Sequence, residues 1–282
     1  MKHIESSLPL AADARAADPD RYMCALFVPP RQRAALFALI LFNAEIARVR
    51  ELVSEPMLGR IRLQWWREAI DGIYGGQRRR HEVADALAEA IATHGLTRSY
   101  FERLIDARES DLEEAVPENM AAFERYAEES AAPLVSLALE VAGAEAGGPG
   151  GVARHTGIAW ALTGLMRALP YQAAQGRVML PGDVLEKAGL TAQGVVAGRE
   201  RAKVARAVQQ VSDVARQHLR QAREHRRVLP RAAKRATLQA VLAGAYLSRL
   251  AACAHDPYHR RATIGPLGRQ LLLSRAAFFG ES

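Results

Sequence analysis

Long hydrophobic runs are missing from this sequence of 282 residues. The longest, residues 34–42, has nine residues, well short of the ~20 that a membrane-spanning helix needs, so no such helix is expected. Cysteine is nearly absent too. Cys24 and Cys253 are too few for a disulfide framework or a zinc site, and a reducing cytosol is the simplest setting, with the cytoplasmic membrane's inner face as a place of peripheral attachment. The N-terminus lacks an apolar signal core and carries several acids, so it reads as neither secretory signal nor transit peptide. Residues 1–20 are expected as a flexible segment, and residues 21–282 as one helical domain.

Hydrophobic residues make up 49% of the chain, enough for a substantial core, and the formal net charge is +7. That charge favours acidic partners such as lipid headgroups, diphosphates or nucleic acid. Much of it lies in residues 199–235, where twelve Lys or Arg (Arg199, Arg201, Lys203, Arg206, Arg216, Arg220, Arg223, Arg226, Arg227, Arg231, Lys234 and Arg235) face only Glu200, Asp213 and Glu224. A solvated helix face is the ordinary reading, and an anionic membrane surface or a protein dock the sharper one. Nucleic acid is not expected, because this stretch holds no aromatic residue on which a base could stack.

Apolar periodicity of three and four residues runs nearly throughout, which makes the fold class all-α. Residues 31–53 predict a long helix whose first half is apolar all round and belongs at the centre of a bundle, while Asn43, Glu45, Arg48, Arg50 and Glu51 make its second half polar. Ser54 and Pro56 predict the start of a helix carrying Trp65 and Trp66, both expected to pack on neighbouring helices. Thr97 is expected to cap the helix holding Tyr100, Phe101, Leu104 and Ile105. Pro133 should bend the helix that follows Pro117, and residues 143–151 (GAEAGGPGG) read as a flexible joint. Ile158, Leu162, Leu165, Met166 and Leu169 form one stripe of a further helix, which Pro170 should stop or kink. His255 and His259 flank Pro257, which argues for a loop rather than a helical metal pair. From Pro266 a short amphipathic helix with Leu271, Leu272, Phe278 and Phe279 is expected to dock on the bundle, with a membrane or partner contact as the sharper reading.

Several blocks resemble the squalene/phytoene synthase family. Residues 29–55, PPRQRAALFALILFNAEIARVRELVSE, are similar to its opening PPxxRxALYALYAFCRxADDIVDE. Residues 59–76, GRIRLQWWREAIDGIYGG, resemble its RLxWWRxxLxxLYxG block, and Asp106 with residues 109–112 resembles LIDGMxxDL. The frame of LTNILRDVGED followed by GRxYLP survives in Leu162, Thr163, Leu165, Arg167, Gly176, Arg177, Leu180 and Pro181. The resemblance implies an isoprenoid-synthase helical bundle in one domain around a central cavity.

In that family two acidic clusters hold magnesium against a diphosphate. Carboxylates four apart on a helix point the same way and can share hard, oxygen-seeking cations. Here the family's first cluster falls on Ala47, Arg48 and Glu51, with Arg48 placed to pair with Glu51, and the second falls on Ala168, Tyr171 and Gln172. The resemblance therefore implies no catalytic residue, metal site or cofactor. It is marked most in the LQWW helix, residues 42–54 (FNAEIARVRELVS) and residues 168–171 (ALPY), which are similar to the family branch containing a mitochondrial complex I assembly factor. That branch implies a protein partner, such as a complex I subunit, and leaves room for an isoprenoid or lipid ligand. The alternative is a diverged prenyl-diphosphate transferase that uses magnesium. For either, the residues implied to line a cavity or grip a diphosphate are Arg48, Glu51, Arg62, Asp106, Asp111, Arg167, Tyr171 and Arg177.

Overall fold

The computed structural model describes residues 7–77, 79–113, 116–145 and 151–279. Within them the chain is all helix and connecting turn: α1 (Ser7–Ala17), α2 (Pro19–Ala25), α3 (Pro30–Leu52), α4 (Pro56–Tyr74), α5 (Glu82–His94), α6 (Arg98–Glu109), a 3-10 turn Ser110–Leu112, α7 (Met120–Val141), α8 (Val152–Ala174), α9 (Gly182–Ala188), α10 (Ala192–Val196), α11 (Arg201–Arg226), α12 (Arg231–Ala236), α13 (Gln239–Ala252), a 3-10 turn Arg260–Ala262 and α14 (Pro266–Phe279). None of these helices is long and apolar enough to cross a membrane. Of the expected joint, residues 146–150 lie outside the described residues.

Two apolar cores share α7, which makes the bundle one domain. The first gathers α3 with α4, α5 and α6, and takes Leu134, Leu137 and Val141 from the C-terminal half of α7. At its centre Phe42 meets the edges of Trp66 (centroids 5.1 Å apart) and Phe101 (5.5 Å). Trp66 is thereby buried, and Trp65, half-buried, stacks edge-on against it, as their packing role required. The second core takes Phe123 and Ala127 from the other half of α7 and joins them to α8, α9, α11 and α13.

The backbones of α7 and α8 approach each other closely where they cross. A Cβ at Gly157 would lie 2.5 Å from the Cα of Ala132, so only glycine fits there. Buried Ser130 and Ser136 spend their hydroxyls on α7 carbonyls, an arrangement that keeps small polar residues compatible with a packed helix.

Four local expectations are corrected. Within the expected flexible segment of residues 1–20, residues 7–17 and 19–20 are helical, because Leu10 and Ala14 pack on the core and Asp18 caps α2 by accepting from the Arg21 amide. Ser54 caps nothing: the residue at the start of α4 is Glu55, with no side-chain cap bond. Thr97 likewise makes no side-chain cap. Its hydroxyl donates to Glu140 at 2.5 Å and its amide to the same carboxylate at 3.0 Å, which ties α6 to α7.

Pro170 does not end α8. The helix runs one turn further, to Ala174, and stops where Gly176 turns left-handed (φ 75°). There the Arg177 amide donates to the Gln172 carbonyl and the Gly176 amide to that of Ala173, the paired bonds of a Schellman ending. One backbone bond lost to proline inside a long helix is offset by packing: Leu169 and Ala173, on either side of it, are both buried.

Candidate functional site

The cleft of interest, about 760 Å³, opens where the C-terminal end of α3, the Ser110–Leu112 turn, α7 and the segment after α8 meet. Helix α3 supplies Arg50 and Glu51, the turn Asp111, α7 Tyr126, and the Schellman ending of α8 delivers Arg177. Pro117 and Glu118 in its wall are fixed by backbone bonds, for their carbonyls accept from the amides of Gly182 (2.9 Å) and Asp183 (3.1 Å). Two sequence blocks more than a hundred residues apart thus converge on one opening.

Of the residues expected there, Glu51, Asp111 and Arg177 line the cleft, and the others do not. Arg62 points to solvent from α4, and Tyr171 is 58% exposed. Asp106 lies on the outside, where it accepts from Arg67 at 2.6 Å. Arg48 is exposed and forms no ion pair with Glu51; the carboxylate that feels its charge is Glu45, whose pKa is raised chiefly by burial. Arg167 is not in the cleft lining but joins a separate cluster. There it faces Asp20 at 3.4 Å and lies over the ring of Tyr246, and Asp20 also accepts from Arg269 and from the Tyr246 hydroxyl (2.8 Å). Burial first, then Asp20's charge against the opposing pull of Arg167, pushes the Tyr246 phenol up to about 12. Sequence reasoning missed this cluster because its four members come from α2, α8, α13 and α14 with no shared local pattern.

Asp111, the acid retained from the family's third block, is already committed. It accepts from the Tyr126 hydroxyl at 2.6 Å and from Arg108 at 3.1 Å, while Arg108 also donates to the Ser130 carbonyl at 3.2 Å. Burial, and then the Asp111 charge, drives the Tyr126 phenol well above its ordinary range, so it remains a donor at neutral pH. A carboxylate shared between a guanidinium and a phenol has little lone-pair capacity left for a cation.

The residues present do not fit a magnesium–diphosphate centre. Ala47 and Ala168 carry no ligand atom, Arg48 opposes a cation, and Gln172 supplies only a neutral carbonyl oxygen. Among the described residues no group of three or more His, Cys, Asp or Glu is placed to hold a metal. The lining carries four acids, Glu51, Asp111, Glu113 and Glu118, against Arg50 and Arg177, a balance that repels a bare diphosphate. What the opening can do is hold a neutral or cationic group, or seat a partner.

The comparisons with known proteins agree with this geometry. The family model described as squalene/phytoene synthase matches residues 14–268. The chain belongs to the squalene/phytoene synthase family. The bovine (Bos taurus) NADH dehydrogenase (ubiquinone) complex I, assembly factor 6 is 32% identical over 257 residues, 90% of this chain and 77% of that protein. Its human counterpart is 30% identical over 245 residues, 87% and 74% of the two chains. Presqualene diphosphate synthase of Sinorhizobium fredii is 30% identical over 166 residues, 58% of each chain. Among solved structures, a dehydrosqualene synthase aligns over 99% of this chain and 97% of its own, with a TM-score of 0.84 at 13% identity. The squalene synthase of Alicyclobacillus acidocaldarius covers 90% of this chain and 96% of its own, with a TM-score of 0.79 at 21% identity. These two establish the fold, the isoprenoid-synthase bundle in one all-α domain.

Proposed function

We propose that this family member is non-catalytic and acts as an assembly factor or scaffold for respiratory complex I, at the inner face of the cytoplasmic membrane. The observation that carries the reading is the state of the cleft. The family's first cluster keeps Glu51 alone, the second keeps no acid, and Asp111 is spent on Arg108 and Tyr126. Ionising an allylic diphosphate needs a cation to take up the charge of the leaving group, and these residues offer no place to hold one. The identity shared with complex I assembly factors over most of both chains supplies the direction, since it extends well beyond any single motif.

The partner under this reading is a complex I subunit or assembly intermediate. Capture of the full chain from solubilised membranes of its source, washed in salt that screens lipid attraction, tests it. Recovery of defined complex I subunits supports the reading, and recovery of none while the chain stays folded contradicts it.

A further inference from the structure

The positive charge of this chain is concentrated at one end of the sequence. Residues 225–282 hold ten Lys or Arg against two acids, Asp256 and Glu281, a net +8 that exceeds the +7 of the whole chain. Neither α13 nor α14 contains an acid.

Helix α14 is apolar on two sides. Its inward side, Leu273 and Ala276, is buried in a core shared with Leu238, Leu242 and Tyr246, and Arg269 anchors it to Asp20. Its outward side carries Leu267, Leu271 and Phe278, which are 76%, 72% and 61% exposed. At 100° per residue these three fall within an arc of about 40°, so they form a single outward ridge. A solvated face of an edge helix should be polar, and this one is not.

Beside the ridge runs a groove of about 410 Å³ shared by α11, α13 and α14. Arg216, Arg220 and Arg223 line it from α11 at steps of four and three residues, and Arg275 lines it from α14. Arg216 is fixed by Asp213 (3.1 Å) and by the Leu247 carbonyl (3.0 Å), so the row has a defined place beside the ridge. The basic run of residues 199–235 is thereby divided. Arg201 pairs with Asp256, Lys203 with Glu200 and Arg216 with Asp213, Arg226 is buried against Thr237, and Arg216, Arg220 and Arg223 are the members that line the groove against α14.

We propose that α14 and the adjoining α11 arginine row form a docking face for a bilayer containing anionic phospholipid, with Leu267, Leu271 and Phe278 entering the headgroup boundary and the guanidiniums meeting lipid phosphates. Apolar side chains standing out from the surface suit a soft interface that closes around them, and a plane of phosphates matches an arginine row that carries few acids. The proposal deepens the membrane-surface part of the reading above and needs no respiratory subunit for its test. Vesicle binding without subunit capture would keep this face and remove the assembly role, and capture without vesicle binding would do the opposite.

The experiment is flotation of the full chain with vesicles of phosphatidylcholine alone, or with a third of it replaced by phosphatidylglycerol, at low salt. The parent chain should float with the anionic vesicles and largely remain behind with the neutral ones. Changing Leu267, Leu271 and Phe278 together to Ser should lower the bound fraction about tenfold, and Arg220→Glu with Arg223→Glu should abolish the preference for phosphatidylglycerol. Leu58→Ser, an exposed position on α4, should bind as the parent does. Thermal unfolding checks that each variant is folded, and Leu271→Ser alone serves if the triple variant is not. No flotation of the parent with anionic vesicles, as for a face that docks an acidic protein, would overturn the proposal, as would undiminished flotation of the folded Leu variants.

Discussion

The guanidinium of Arg167 lies 3.4 Å from the centre of the Tyr246 ring while its Nη1 faces Asp20 at 3.4 Å. This is a helix α8 residue retained from the family frame, used here to brace the N-terminal helices against the C-terminal ones. With Arg269 it leaves two cations around one buried carboxylate, so the charge of Asp20 is what makes the cluster tolerable.

Removing that charge should therefore be costly. Asp20→Ala is expected to destabilise the fold by about 3 kcal/mol, since a buried pair broken on one side leaves its partners uncompensated. Urea denaturation measures it, and Asp13→Ala, on α1, gives the reference for an ordinary acid-to-alanine change.

Two glycines of α8 should respond in opposite directions. Gly157→Val would force apart the α7 and α8 backbones and is expected to cost more than about 3 kcal/mol or prevent folding. Gly164 has open space at its Cβ position, so Gly164→Ala should stabilise by up to about 1 kcal/mol through helix propensity alone. Melting temperatures of the two variants decide the matter.

His155 supplies a pH dependence. Its Nδ1 is 2.9 Å from Nδ1 of His218, whose Nε2 is 2.9 Å from Glu124; Arg154 and His225 also face it. Burial first, then the His218 charge, lowers its pKa from 6.5 to about 4. Between those values the unfolded chain binds the proton and the folded one does not. Stability should accordingly be fully present above pH 6.5 and decline as pH falls toward about 4. Partial exposure limits the loss to about 1 kcal/mol. His155→Asn should flatten this part of a denaturation-versus-pH curve, against a residual slope of the same sign from His94 and His255, whose pKa values burial also lowers.

Asp111→Ala tests whether that acid serves the fold or a ligand. Arg108, held between Asp111, Tyr126 and the Ser130 carbonyl, would lose its counter-charge, and a loss of about 3 kcal/mol is expected, unchanged by added magnesium. Stabilisation of the parent chain alone by magnesium would instead show Asp111 holding a cation, and differential scanning fluorimetry reads either result.

Much of the fold was legible because periodicity is a local signal. The helices of Leu36, Trp66, Phe101 and Ile158 are where their three- and four-residue spacing put them, and the absent acids at Ala47, Ala168 and Gln172 could be read by alignment to the family frame. The sites of Arg167 and Asp106 were not legible. Each is settled by a partner distant in the sequence, Asp20 for one and Arg67 for the other, and no local pattern encodes such a pairing. Pro170 misled for a related reason: propensity marks it as a helix end, and tertiary packing of Leu169 and Ala173 overrides that preference.

The residues of the cleft no longer form a metal-dependent diphosphate site. Calorimetric titration of the purified chain with an unreactive farnesyl diphosphate analogue, in the presence and absence of magnesium, tests this most directly. The expected result is no binding, or weak binding that magnesium does not change, because alanines at 47 and 168 leave Glu51 without co-ligands and Asp111 is held by Arg108 and Tyr126. Tight binding that requires magnesium would contradict it and return the chain to the prenyl transferases.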